Sequence, residues 1–306
     1  MTMFRQLDPL ANAGPWKKAT KRGVKSFTIS EEQYARVEER RPELIAEYEE
    51  SLVMGRPYRD YLEVHYAFPE VPWFREGFKL LFGHVTEAAN KEETPRGIVL
   101  AFRDRPNRPL AEQLFWESAF EEGKHWVECD FTAVPEQPEP AAELEGGYRV
   151  REATATDRDA IAALEAEATG EPRLTEAGLD GVYENCRWLY LIEDADNHPV
   201  GWLGMRREPG GWAMIDEAHF VPAEKAKLFG PAMSWAVAFL RNNGGRKQRR
   251  RVNLDETQEL ATLREIGFMP GESGVDYVRP TSQEDIDAKV EERQAHGTLI
   301  KFGDWR

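Results

Sequence analysis

Cysteine is almost absent from the chain: Cys129 and Cys186 are the two in 306 residues. Two lone thiols, one in each half, give no disulfide framework and no zinc-ligand spacing, so a reducing compartment is the default. Basic charge is also short, with 40 Lys and Arg against 55 Asp and Glu and a net charge of −15. That balance works against indiscriminate binding to nucleic acid or to an anionic membrane. No stretch approaches the roughly 18 apolar residues that span a bilayer. The opening MTMFRQLDPLANAGPW lacks an apolar core before a small-residue cleavage site, so a cytoplasmic protein is expected. The six histidines have no metal-ligand spacing such as HExxH, and neither Gly-x-Ser-x-Gly nor a phosphate loop ending in Gly-Lys-Ser/Thr occurs. No metal site is expected.

What is present is a folded composition, 41% hydrophobic and 31% charged, with length for two domains. Proline and glutamate gather at 135–147, PEQPEPAAELEGG, a linker composition with no face to bury. It separates a first domain, 1–134, from a second, 148–280. A charged helix and tail follow over 281–306, with Thr281 and Glu284 at capping-box spacing. In the second domain YRVREAT alternates as a strand, and Thr156 with Asp159 caps the next helix. TEAGLDGVYEN is a second helix. CRWLYLIED, HPVGWLGMRRE and GWAMIDEAHFVP are strands joined by turns at Asp196-Asn197 and Pro209-Gly210-Gly211. KLFGPAMSWAVAFLRNN is a helix stopped at Gly244-Gly245, RRRVNLDE a strand, TQELATLREIGF a helix and VDYVRP the last strand. This order predicts an α/β (α+β) fold, a mixed, partly antiparallel sheet flanked by helices.

The first domain repeats the end of that pattern about 150 residues earlier, which is the mark of duplication. WFREGFKLLFGHVTEAA stands for KLFGPAMSWAVAFL, GIVLAF for RVNL, LAEQLFWESAF for ELATLREIGF, and KHWVECDF for VDYVRP. Its early part is shorter. GVKSFTIS is a first strand, Ser30 with Gln33 caps a helix that carries Pro42, and the strand pair expected before Val71 is missing or shrunken. Trp73, Phe74, Phe78 and Phe82 have the near-helical spacing of a core face.

The ordered set resembles the GNAT acyltransferase superfamily on three features: the opening YRVREATATDRDAIAAL, a strand ending Phe220-Val221-Pro222 before a basic, glycine-containing turn, and the helix end LREIGF. The resemblance implies two tandem GNAT-like domains, the second clearer than the first. It also implies acetyl-CoA or another acyl-CoA as co-substrate, and a small-molecule or protein amine as acceptor. The pyrophosphate would sit on free amides at a helix N-terminus, where glycine leaves room. The family pattern Arg/Gln-x-x-Gly-x-Gly/Ala maps in two registers. One uses Lys227, Leu228, Phe229, Gly230 and Ala232, with Pro231 removing an amide. The other starts at Lys225, with Leu228 replacing the first glycine and Gly230 as the second. Phe220 and Val221 lead in. In the first domain Arg75-Glu76-Gly77-Phe78 places a phenylalanine where space is needed. A competing reading makes KAKLFGPA merely a turn into a buried helix.

Acyl transfer to an amine needs a base and an acid. Alternation along GWAMIDEAHFVP puts Glu217 and His219 on one face and Trp212, Met214 and Asp216 on the other. Glu217 is the predicted base, its pKa raised toward neutrality by partial burial; Asp216 serves only if the opposite face lines the cleft. The family's acid position falls on Leu263, and on Phe115 in the first domain, neither of which holds a proton. Tyr277 or Tyr183 would have to substitute. The basic loop 244–251, GGRKQRRR, offers a grip on a 3′-phosphate or a nucleic-acid backbone but is expected to be a solvated loop. Two functions follow: an N-acyltransferase, or an inactive GNAT-like scaffold that binds a metabolite or a protein partner.

Overall fold

The computed structural model describes residues 24–26, 31–48, 51–68, 71–91, 95–103, 108–132, 142–208 and 211–295. Ser30, most of the 135–147 linker and the end of the tail lie outside them. The first half contributes β1 (Val24–Lys25), α1 (Glu31–Arg40), β2 (Ile45–Tyr48), β3 (Ser51–Tyr58), β4 (Tyr61–Phe68), α2 (Val71–Asn90), β5 (Gly97–Arg103), α3 (Arg108–Glu117) and β6 (Glu121–Phe131). The second contributes β7 (Glu143–Leu144), β8 (Tyr148–Glu152), α4 (Arg158–Thr169), α5 (Glu176–Asn185), β9 (Trp188–Glu193), β10 (Pro199–Glu208), β11 (Trp212–Phe220), α6 (Pro222–Asn242), β12 (Lys247–Asn253), α7 (Thr257–Ile266), β13 (Met269–Arg279) and α8 (Gln283–Ala295). No helix among the described residues is long and apolar enough to cross a membrane.

Several local expectations are corrected. The strand pair before Val71 is present: β3 and β4 form an antiparallel hairpin closed at Tyr58↔Tyr61. Its two-residue turn has Arg59 at φ 54°, and arginine there gives none of the Asn-Gly or Asp-Gly signal that marks such turns. Helix α1 stops at Arg40, and Pro42 opens a separate 3₁₀ turn, because proline cannot continue a helix interior. The capping box ahead of α4 is Thr154 with Asp157, two residues before the predicted pair. Ser282 caps α8, accepting from Asp285 N at 3.1 Å, while Thr281 Oγ1 donates to Pro95 O.

All the described strands belong to one sheet, in the order β2-β3-β4-β5-β13-β6-β12-β11-β10-β9-β8-β7, with β1 pairing β4. Each half lends its last strand to the other: β13 lies between β5 and β6, and β6 between β13 and β12. Val275 and Tyr277 accordingly enter the first half's core, and Val127, Cys129 and Phe131 enter the second's. Trp126 Nε1 donates to Asp276 Oδ1 at 2.9 Å within the exchanged pair. Neither half can leave the other without breaking these ladders.

Both halves share one further feature. β4 and β5 run parallel for three pairs, ending at Glu63↔Val99, and β11 and β12 for four, ending at Ile215↔Arg250. Beyond those points the strands part, leaving a V in each half.

Candidate active site

Five strands separate β3 from β11 along the sheet, yet the Tyr58 hydroxyl donates to Glu217 Oε1. The sheet is curled, and its inner face encloses a cavity of about 480 Å³ lined by β3–β6 and β10–β13. The register on β11 decides what faces it. Gly204 pairs with Glu217 but Met205 pairs with Ile215, so Asp216 is the extra residue of a β-bulge. A bulge resets the alternation. Trp212, Met214 and Asp216 line the cavity, and so do Glu217 and His219, while Ile215, Ala218 and Phe220 join the core under α6. The expected choice between two faces is thereby corrected: both carboxylates reach the same space.

Their protonation is the reverse of the expectation. Glu217 is buried, which raises its pKa, but the His219 Nε2 hydrogen bond (2.5 Å), the Arg59 charge and the Tyr58 hydroxyl outweigh burial and hold it at about 2. Asp216 goes the other way. Burial is the largest cause, and Glu217 and Glu208 add to it, so Asp216 rises to about 6 despite Arg206 Nε at 2.5 Å. The neutral-range carboxyl is thus Asp216, beside a Glu217 that stays ionised, the separation that gives adjacent carboxyls different roles.

Among the described residues, six arginines and six carboxylates line the cavity. Two more carboxylates, Asp130 and Glu165, pair with lining arginines, while Glu259, 3.7 Å from Arg250, is matched by Lys225 at 2.9 Å. Carboxylate is therefore in excess, and burial followed by charge repulsion also raises Glu165 and Asp276, though Arg59 and Arg251 oppose the rise.

The first half supplies part of this site through the tip of the β3–β4 hairpin. Tyr58 reaches Glu217, and Arg59 pairs with Glu165 on α4. Asp60 accepts from Thr175 Oγ1 (2.6 Å) and Thr175 N (3.1 Å) at the start of α5. Gly178 and Gly181 let α5 lie directly on the hairpin backbone: a Cβ on Gly181 would stand 3.2 Å from Tyr58 Cα. The two glycines, close to one helical turn apart, were the only sequence sign of that approach. Tyr277 and Tyr183 do not take part; Tyr277 donates to Glu112 and Tyr183 to Thr154 O. Leu263 and Phe115 are fully buried core residues.

The residues predicted to hold coenzyme A lie in a helix, not in the expected turn. There is no turn: α6 begins at Pro222, directly after β11, and runs through Lys225, Lys227, Leu228, Phe229, Gly230 and Ala232. The amides expected to cradle a pyrophosphate are consumed inside the helix. At its start Pro222 has no N–H, Val221 N donates to Val200 O, and the Glu224 and Lys225 amides both reach Val221 O. Glu224 adds negative charge where a phosphate would need the opposite. Phe220, Leu228, Phe229 and Ala232 are buried, and Gly230 serves close packing, since a Cβ there would lie 3.3 Å from Thr262 Cγ2 on α7. Lys225 on α6 bridges Glu256 (3.1 Å) and Glu259 (2.9 Å) beside α7, and Arg250 donates to Ile215 O and Asp216 O at the mouth of the V. In the first half Gly77 lies against the Phe68 ring, and Arg75 and Lys79 are paired to Glu117.

The basic loop is corrected as well. Residues 247–251 belong to β12, where Arg249 pairs with Glu128 and Asp130 and stacks on Trp212 at 4.4 Å, while Arg251 lies 4.4 Å over Trp126. Asp194, Asp196 and His198 stand close enough for metal ligation, but Asp194 Oδ1 already accepts from Asp196 N and His198 N in the turn.

No protein-family model and no curated protein sequence matches the chain. Solved structures do. A tandem GNAT protein from the clavulanic acid biosynthesis pathway superposes with a TM-score of 0.58 at 12% identity, over 92% of this chain and 98% of its own. A putative acetyltransferase from Pyrococcus horikoshii gives 0.57 at 11% identity, over 92% and 89%. A GCN5-related N-acetyltransferase from Sphaerobacter thermophilus gives 0.52 at 18%, over 76% of each chain. The chain has the tandem GNAT fold.

Proposed function

We propose that this chain, built on the tandem GNAT fold, binds a small amine in the cavity between its halves, with Asp216 and Glu217 facing the ammonium group. The observation that carries this reading is the excess of carboxylate over arginine at the cavity wall, with Asp130 and Glu165 beside it, concentrated where the β11 bulge turns two consecutive carboxyls inward. A cation beside Asp216 favours its ionised form and offsets that excess; a neutral ligand of the same shape cannot. This reading does not depend on acyl-coenzyme A, since the predicted cofactor residues lie within α6 and Lys225 is paired with Glu259.

Cyclohexylamine is therefore expected to raise the thermal midpoint at neutral pH, and N-cyclohexylacetamide, which has no charge, to leave it unchanged. A ligand at about 100 times its Kd adds about 2.7 kcal/mol. Equal shifts from the two compounds would overturn the reading. Coenzyme A and acetyl-CoA are expected to give no shift and no heat in a titration; saturable binding of either would show that the α6–α7 crevice opens.

Acyl transfer to that amine is the second reading, favoured by the parting of β11 from β12 beside Glu217. Thiol release from acetyl-CoA that depends on the amine, and is lost in Glu217→Gln, would put it first.

A further inference from the structure

We infer that the amine taken by this cavity also carries hydroxyl, and that His65 is the side chain that recognises it. The inference rests on the amine reading and names the class of amine.

His65 lies on β4 two residues beyond the last β4–β5 pair, Glu63↔Val99. Glu217 lies on β11 two residues beyond the last β11–β12 pair, Ile215↔Arg250. The duplicated fold therefore presents one buried polar side chain from each V to the shared cavity, a carboxylate from the second half and an imidazole from the first. His65 is 8% exposed, and among the described residues neither ring nitrogen is within ordinary hydrogen-bond distance of a partner. Glu63 Oε2 stands 3.7 Å from Nε2 and is itself taken by Arg56 Nε at 3.1 Å.

The chemistry of the missing partner follows from the charge around His65. Burial is the main cause that keeps the imidazole neutral, and the nearby guanidinium groups of Arg56 and Arg206 act in the same direction against Glu63. A neutral imidazole offers one N–H and one lone pair. An ammonium group can only donate and a carboxylate can only accept, whereas a hydroxyl serves either nitrogen in either tautomer. The charged groups at this end are already matched: Arg56 pairs with Glu63, and Arg206 with Glu208 and Asp216. A second ionic group on the ligand would have to break one of these buried pairs. Val99 and Ala101 line the same end and suit the carbon skeleton that bears the hydroxyl. The ligand class is a hydroxylated primary amine, an amino alcohol or amino sugar, small enough for about 480 Å³.

Calorimetric titration of the full chain with cyclohexylamine, trans-4-aminocyclohexanol and D-glucosamine tests this. At least one hydroxylated amine is expected to bind about tenfold tighter than cyclohexylamine, the size of one well-made hydrogen bond. Tighter binding of aminocyclohexanol points to an amino alcohol, and of glucosamine to an amino sugar. His65→Phe is expected to reduce the preference to about twofold or less. His65→Met is the second apolar replacement if the phenylalanine does not fold. Cyclohexylamine binding as tightly as both hydroxylated amines, or a preference that survives both substitutions, overturns the inference and leaves the amine reading standing. Failure of all three amines to bind removes the amine reading and this inference together.

Discussion

Asp216→Asn is expected to gain about 3 kcal/mol of stability relative to the parent between about pH 4 and about pH 8, while losing about tenfold or more in affinity for a small amine. Asp216 has a pKa of about 6 in the folded chain against 3.8 for the unperturbed carboxyl. Between those values the folded chain holds a proton that the unfolded chain has released. Stability therefore falls as pH rises through that window and levels off above it, at about 1.4 kcal/mol for each pH unit. Asparagine does not titrate and escapes the loss. Arg206 keeps Glu208 at 3.2 Å as its partner, so the substitution strands no buried charge. A residue whose removal stabilises the protein and costs it its ligand is held there by function. Urea unfolding of both proteins across the pH range measures the difference; a gap that does not change with pH would show that Asp216 is an ordinary ionised carboxylate.

Gly178→Ala is expected to cost about 3 kcal/mol, near the upper end for overpacking. A Cβ at 178 would meet Asp60 Oδ1 and lie 2.9 Å and 3.0 Å from the carbonyl carbon and oxygen of Arg59. The obstacle is hairpin backbone, which cannot rotate away as a side chain can. Asp60 is fixed in turn by Arg96 at 2.7 Å and by the Thr175 hydroxyl. The loss falls on the contact that delivers Tyr58 and Arg59 to Glu217 and Glu165, so amine affinity should fall with stability. Gly83→Ala is the control: Gly83 is exposed on α2 with nothing within 4 Å of a Cβ. There alanine should add up to about 1 kcal/mol through helix propensity. Similar midpoints for the two variants would contradict the docking of α5 on the hairpin.

The second half was readable because its periodicities are strong. YRVREAT, CRWLYLIED and RRRVNLDE lie where β8, β9 and β12 form, and Gly244 at φ 84° stands just past the end of α6. The exchange of β6 and β13 was not readable, since alternation fixes which face of a strand is buried and says nothing about which strand lies beside it. The Asp216 bulge has no sequence mark, yet it alone puts Asp216 and Glu217 in one cavity. Gly230 and Pro231 lie in the predicted helix, but α6 begins at Pro222, ahead of the predicted start at Lys227, and so takes in the expected cofactor turn, with Gly230 giving α7 its close approach. Glu217 was found from its strand. Tyr58, Arg59 and His65 were missed because they reach the site from the other half, and no local pattern records a contact made across the curl of the sheet.

The number of protons released when cyclohexylamine binds tests the role of Asp216 most directly. Titrations at about pH 6 in phosphate and in MES, whose ionisation enthalpies differ, should reveal release of about half a proton per ligand, because the bound cation drives a half-protonated Asp216 to carboxylate. At about pH 8 release should vanish. Binding at pH 6 with no proton released, or with one taken up, would contradict the claim that an excess of buried carboxylate is what the cavity uses to hold its ligand.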